Sequence, residues 1–519
     1  MFSMTQLVRR AAQNHGGVLA THDGNRSQTW AQFSERIARF AGGLHKLGVG
    51  AGDRVAILAL NSDRYMEFMF GVPWAGAVFV PVNTRLAGPE IAYWLKDSGS
   101  KVLLVDGNFA AGVAAIRDQL ESLEQLVFID DGAVPEGCVP YAELLSAPAV
   151  PDAGRGDDDL AGLFYTGGTT GRSKGVMLSH RNLVGNVFQT LPVIGSNEGE
   201  RTLHVAPMFH IADGFMCIIA AAMAHENYIL PAFEPLATMR AIAEHRIDRV
   251  LMVPTMINMF VHHEQVGDHD LSSLRTVVYG ASPMPEAVIT RALEVLPDAQ
   301  FFQAYGQTEA SPILTVLRPE YHTIEGEHAG KLKSAGRSVL GVDLAVLDDD
   351  GNEVALGTVG EICAKGPNVM LGYRNLDEQT REALKDGWLH TGDGGYLDED
   401  GFLFIVDRVK DMIVSGGENV FSAEVENAIY QHPDVDQCAV VGIPSDKWGE
   451  QVHAIIVPKP GTAPTEESII TFCREQIAGF KCPRSIVFRD EPLPLSGAGK
   501  ILKNELRAPY WEGVDRAVN

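Results

Sequence analysis

Two hydrophobic patterns alternate along the chain, one of helical period and one of almost unbroken short apolar runs. Phe33, Ile37, Phe40, Leu44 and Leu47 recur at helical spacing. They follow Thr29-Trp30-Ala31-Gln32, which has the form of a capping box, and together predict a helix with one buried face. Gly48, Gly50 and Gly52 end that helix, and residues 54–60 read as an apolar strand. A helix over 63–75 leads to a strand at 78–82, and 101–105 and 126–129 continue the alternation. Strand 160–166 follows a Pro-, Gly- and Asp-rich stretch at 147–159 that reads as a linker or loop. Further strands are expected at 202–206, 227–231, 249–253, 276–279 and 300–303, with helical stretches between several of them. Apolar strands separated by helices predict an α/β fold whose parallel sheets are covered on both faces.

From Gly341 the pattern shifts to short strands and turns such as 346–351, which predicts an antiparallel or barrel-like part before Asp407. About the last hundred residues form a separate small α+β unit, with strands at 438–442, 452–457 and 485–488. With 519 residues the chain exceeds what one core holds, so more than one domain is expected. There is no internal repeat and no low-complexity tract.

Composition narrows the classes. Hydrophobic content of 45% and charged content of 21% are those of an ordinary globular protein. The 42 basic and 67 acidic residues give a formal charge of −25, which argues against nucleic acid or an anionic membrane as partner. Any anionic substrate must therefore be met by a few local cations. Six cysteines without a Cys-x-x-Cys pair suit a reducing compartment, not a disulfide framework or a structural zinc site. The sixteen histidines include no His-Glu-x-x-His. The first ten residues lack the apolar core of a signal peptide, and the clearest apolar run, 215–224, is too short to span a bilayer. A cytoplasmic protein is the expectation.

The chemistry concentrates at Tyr165-Thr166-Gly167-Gly168-Thr169-Thr170-Gly171-Arg172-Ser173-Lys174-Gly175. Glycines let backbone approach a ligand, successive N–H groups make an anion-binding concavity, and the threonines and lysine add donors. That set suits a polyphosphate. A Walker A loop is excluded, because Arg172 and Ser173 separate Gly171 from Lys174. Gly171 to Gly175 satisfies Gly-x-Ser-x-Gly, but a nucleophile elbow needs a strand before it and a helix after it. Here a Gly-Thr loop precedes and the strand-like Val176-Met177-Leu178 follows. A flexible surface loop is the plain alternative.

The stretch resembles the phosphate loop of the adenylate-forming superfamily (acyl-CoA synthetases, aryl-CoA ligases, luciferases, peptide-synthetase adenylation domains). The usual pattern there is Thr-Ser-Gly-Thr-Thr-Gly-x-Pro-Lys-Gly. Gly167 replaces the serine and Ser173 the proline, which loses one hydroxyl and loosens the turn. Other motifs of that superfamily follow in its order, and the resemblance covers nearly the whole chain, from Thr29 to Lys500. Val205-Ala206-Pro207-Met208-Phe209-His210 is similar to the segment whose histidine borders the carboxylate pocket. Tyr279-Gly280-Ala281-Ser282-Pro283 resembles the adenine-binding turn, and Tyr305-Gly306-Gln307-Thr308-Glu309 the Tyr-Gly-x-Thr-Glu element. Trp388-Leu389-His390-Thr391-Gly392-Asp393 resembles the ribose-binding motif, with Arg408 in the ribose- and phosphate-binding position and Lys410 at the interdomain hinge. Ser415-Gly416-Gly417-Glu418-Asn419 matches the glycine-rich segment of the small domain, and Leu495-Ser496-Gly497-Ala498-Gly499-Lys500 its terminal loop with the catalytic lysine.

The resemblance implies a large multi-subdomain N-terminal adenylation domain, 1–409, and a small mobile C-terminal domain, 410–519, carrying Lys500. It implies an AMP-forming carboxylate–CoA ligase using ATP, Mg²⁺ and coenzyme A. Thr166, Gly167, Gly168, Thr169, Thr170, Gly171 and Lys174 would hold the β- and γ-phosphates, with Mg²⁺ near Thr169 and Glu309. Gly280, Ala281, Ser282, Tyr305, Gly306, Thr308, Asp393 and Arg408 would hold AMP, and Gly416 and Gly417 would face CoA. Lys500 would bridge the carboxylate and the α-phosphate, with His210, Glu309 and Thr169 completing the catalytic set. Residues 209–216 and 252–256 are rich in Met, Phe, Ile and Val, which favours an acid with an apolar tail. A medium- or long-chain fatty acid is expected; an aryl or arylpropenoic acid, or transfer to a separate acyl carrier protein, stays open. So do a luciferase-like oxygenase, a non-catalytic binding protein and a homodimer.

Overall fold

A computed structural model describes residues 1–166, 173–408, 412–415, 418–445, 447–497 and 500–512. Among them, four sheets form. The expected capping box is present: Thr29 Oγ1 accepts from Gln32 N–H, and the Gln32 side chain accepts from Thr29 N–H. It starts helix Trp30–Lys46, which buries Phe33, Ile37, Phe40 and Leu44. Helix Asp63–Trp74 is buried on every side. It lies within the core, where its buried Asp63 and Glu67 are paired with Arg26 and Arg36.

The nine-stranded sheet has Arg201–His204, Glu226–Ile229, Arg249–Leu251, Thr276–Gly280 and Gln300–Gly306 parallel at its centre. The eight-stranded sheet runs Gly372–Tyr373, Lys174–Ser179, Leu160–Thr166, Val78–Pro81, Arg54–Leu58, Ser100–Val105, Gln125–Phe128 and Cys138–Pro140. A contiguous apolar core joins the two, through rings such as Phe68, Phe79 and Phe164 packed edge to face. The section after Gly341 is a four-stranded antiparallel sheet of Asp343–Leu347, Gly360–Lys365, Leu389–Leu397 and Leu403–Arg408. The C-terminal unit has its own core and a five-stranded sheet centred on Val435–Ser445 and Gly449–Pro458. The fold is thus α/β, a large N-terminal domain of mostly parallel sheets with a smaller domain after it.

Of the two expectations for residues 147–159, linker or loop, the loop holds. These residues are a strap along the large domain and link no separate units. Val150 N–H donates to Ala38 O and Ala153 N–H to Trp74 O, and the Trp74 indole N–H returns a bond to Val150 O. Proline and glycine there suit an irregular path tied down by backbone bonds.

Candidate active site

Antiparallel pairing of Leu160–Thr166 with Lys174–Ser179 sets Thr166 opposite Lys174. The expectations at Gly167, Gly168, Thr169, Thr170 and Gly171 lie outside the described residues, as do those at Lys410, Gly416 and Gly417. Where Ser173 replaces the usual proline, the Tyr93 hydroxyl donates to the Ser173 carbonyl at 3.2 Å. The Lys174 ammonium lies 4.7 Å from the centre of the Tyr373 ring. The Tyr373 hydroxyl donates to Glu309 Oε1 at 2.8 Å. One tyrosine thus brings together the lysine and the carboxylate that the sequence assigns to the phosphate end.

Glu309 is buried in the 3₁₀ turn Thr308–Ala310, also home to buried Thr308. Its second carboxylate oxygen makes no hydrogen bond among the described residues. An oxygen donor so placed fits a hard divalent cation such as Mg²⁺.

On the nucleoside side, the Tyr305 hydroxyl donates to Asp393 Oδ2 at 2.8 Å. Asp393 pairs across the sheet with the backbone of Arg408. Its turn is held by Glu361, which accepts from Gly392 N–H at 2.9 Å and from His390 Nδ1 at 2.7 Å. Gly280 ends its strand against Ala304, whose carbonyl oxygen would lie 2.1 Å from a Cβ. Only glycine fits there. Ala281 follows at φ +69°, turning the chain out of the sheet toward Ser282, and Gly306 follows Tyr305 at the neighbouring strand end.

At the carboxylate end, His210 caps helix Ile211–Ala222, and its Nδ1 accepts from Ala212 N–H at 3.3 Å. Burial, and then the nearby Lys500 cation, pulls its pKa down to about 3. The imidazole is therefore neutral near pH 7, with its hydrogen on Nε2. Buried Asn61 clamps the segment leading to it, donating to Ala206 O and accepting from Met208 N–H, each at 2.8 Å. Beneath the helix, His204 Nδ1 lies 3.1 Å from Asp213 Oδ2, and both groups are buried. Burial opposes a charge on His204, but Cys217 and Asp213 together hold its pKa well above the usual value.

Lys500 closes a hairpin. Ser496 N–H donates to Lys500 O at 2.7 Å, and Lys500 N–H donates to Ser496 Oγ at 3.1 Å. Gly497 is buried against the large domain.

The structure thus joins Lys174 and Glu309 through Tyr373 and Tyr305 with Asp393, and it sets the Lys500 charge where it acts on His210, all remote in sequence. Residues 8–374 match the family described as AMP-binding enzyme, and 424–500 match the AMP-binding enzyme C-terminal domain. The chain belongs to this family. A feruloyl-CoA synthase of Amycolatopsis sp is 40% identical over 504 residues, 97% of this chain and 98% of that one. A medium/long-chain-fatty-acid–CoA ligase of Mycobacterium tuberculosis is 36% identical, covering 95% of this chain and 88% of that one. The crystal structure of the anthranilate CoA ligase AuaEII in complex with anthranoyl-AMP superposes with a TM-score of 0.90. It is 28% identical, covering 98% of this chain and 97% of that one. Family membership makes the chain an adenylate-forming ligase of the acyl-CoA synthetase class, for which ATP and CoA are the co-substrates. Among the described residues, no helix is long and apolar enough to cross a membrane.

Sequence reasoning missed Tyr373, Asn61 and Glu361. Asn61 left one trace, a polar residue breaking the apolar run that begins at 54. Tyr373 left none, because its partners come from other strands and turns.

Proposed function

We propose that this AMP-binding enzyme activates an apolar-tailed carboxylic acid with ATP and transfers the acyl group to coenzyme A. Medium- or long-chain fatty acids are the substrates this reading puts first. The observation behind it is the docking of the Lys500 hairpin on the large domain, through Arg85 and Ser496, in a chain whose Met208, Phe209, Met252, Val253 and Met256 are buried and apolar. A substrate carboxylate oxygen attacks the α-phosphorus of ATP, and pyrophosphate leaves. The CoA thiol then attacks the acyl carbon and AMP leaves.

In this reading Lys500 offsets the repulsion between carboxylate and α-phosphate. Neutral His210 lends its Nε2–H to the carboxylate side without adding charge. Thr166, Gly167, Gly168, Thr169, Thr170, Gly171 and Lys174 hold the terminal phosphates. Thr169 and Glu309 are the residues that would hold Mg²⁺, which supplies charge neutralisation on the phosphates. Tyr305, Asp393, Arg408 and the turn at Gly280, Ala281 and Ser282 hold the nucleoside. The small domain from 410 turns about Lys410 to bring Gly416 and Gly417 to CoA. The same reading places the enzyme in the cytoplasm.

A second reading, an arylpropenoic acid, is favoured by the 40% identity to a feruloyl-CoA synthase. The test is CoA-dependent AMP formation with octanoate, palmitate, ferulate and anthranilate, beside a holo-carrier-protein arm lacking CoA. Highest kcat/KM for octanoate or palmitate supports the first reading, and for ferulate the second. Acyl transfer to holo-carrier protein but not to CoA would overturn both.

A further inference from the structure

The Lys500 hairpin rests on the loop that follows strand Val78–Pro81. Arg85 Nη1 donates to the Ser496 carbonyl at 2.6 Å. Arg85 is itself fixed by its neighbour, its backbone N–H donating to Asn83 Oδ1 at 2.9 Å. Gly497 lies on the Asn83 amide so closely that a Cβ would stand 2.4 Å from Nδ2 and 2.7 Å from Oδ1. Rotating the amide away breaks its bond to Arg85, so the amide resists. The segments on either side of this contact are tied together, because Leu495 bridges Ile501 and Ser496 bonds twice to Lys500. A displacement at 496–497 is therefore passed on to Lys500.

We propose that Asn83 and Arg85 are positioning residues, a seat that docks the small domain for acid activation, and that Gly497 is the contact through which the seat gauges fit. The seat rests on the ligase reading above, and it assigns the large domain a share in placing the lysine. The contact belongs to the orientation that holds the Lys500 hairpin against the large domain, so it matters to the first half-reaction and not to the second.

The test takes the full chain. Gly497→Val lowers acid-dependent ATP–pyrophosphate exchange roughly 10- to 100-fold, the scale of a misplacement of about 1 Å. Thioester formation from supplied acyl adenylate and CoA stays within about twofold, and adding Asn83→Ser, which keeps a side-chain oxygen for the Arg85 N–H but is shorter, recovers most of the exchange by opening the space. Equal losses in both halves, an unchanged exchange rate, or no recovery in the double variant would overturn the proposal. A second measurement needs no activity. Asn83→Cys/Gly497→Cys cross-links under mild oxidation without substrates if the seat is occupied, and absence of the cross-link overturns it. Wild-type enzyme that exchanges pyrophosphate with no acid would instead defeat the ligase reading, leaving the cross-link to judge the seat.

Discussion

Asn61→Ala removes one side chain and unpairs two backbone groups. The amide donates to Ala206 O and accepts from Met208 N–H, both at 2.8 Å, and Asn61 is 6% exposed. An unpaired buried backbone group costs about 1–3 kcal/mol, so the two together amount to about 2–6 kcal/mol before relaxation. Unfolding entropy near 2.1 cal/mol/K per residue over roughly 400 residues is about 0.85 kcal/mol/K, which converts that range to a melting shift of about 2–7 °C. The freed segment is the one that ends at His210, so KM for the acid should rise while KM for ATP holds. Differential scanning fluorimetry and steady-state kinetics with each substrate varied separately read both effects. A melting temperature within about 1 °C of wild type and an unchanged KM for the acid would refute the clamp.

Tyr305→Phe deletes the hydroxyl bonded to Asp393 and should raise KM for ATP about 5- to 30-fold without changing KM for the acid, checked by initial rates. Tyr373→Phe keeps the ring under Lys174 but unpairs Glu309 Oε1, so the Mg²⁺ concentration for half-maximal tryptophan-fluorescence change in the presence of ATP should rise several-fold; no shift would separate Tyr373 from the metal. Burial holds His180 and His322 neutral, each with its pKa lowered to about 4. The unfolded chain binds those protons near pH 6.5 and the folded state does not, so their stabilising contribution is intact above about pH 6.5 and is lost as pH falls toward 4. At pH 5 each histidine should cost about 2 kcal/mol, seen as a melting temperature that drops from pH 7 to 5 and a smaller drop in His180→Gln/His322→Gln.

The readable part of the fold was the part set by local pattern. The Thr29 capping box, the Phe33-to-Leu44 stripe and the apolar runs at 54–58 and 78–81 name their own elements, because period and cap are properties of adjacent residues. At 147–159 linker and loop stayed open because the composition fits a tied-down path and a free linker equally well. The site residues were readable only as separate motifs. Their pairing depends on crossovers that bring Tyr373 beside Val176 and Asp393 beneath Tyr305, and no local signal encodes a sheet's strand order. The contact of Gly497 was illegible for the same reason, since its neighbour Asn83 lies far away in sequence.

The charge balance explains why Lys174 rests on a ring. The chain carries a formal −25, and the proposed reaction gathers a carboxylate and a polyphosphate into one cleft. Surplus acids elsewhere engage many of the basic side chains, as Arg36 with Glu67 and Lys331 with Asp398 and Asp400 illustrate. Among the described residues Lys174 makes no ion pair, and its ammonium lies over the face of Tyr373. A cation over an aromatic face is oriented at about 0.5–2 kcal/mol while keeping its full charge and its three donors. A carboxylate partner would have to be displaced, with its own desolvation cost, each time a phosphate arrived. The Tyr373 hydroxyl meanwhile is committed to Glu309, so one side chain orients the cation and the carboxylate without letting them neutralise each other.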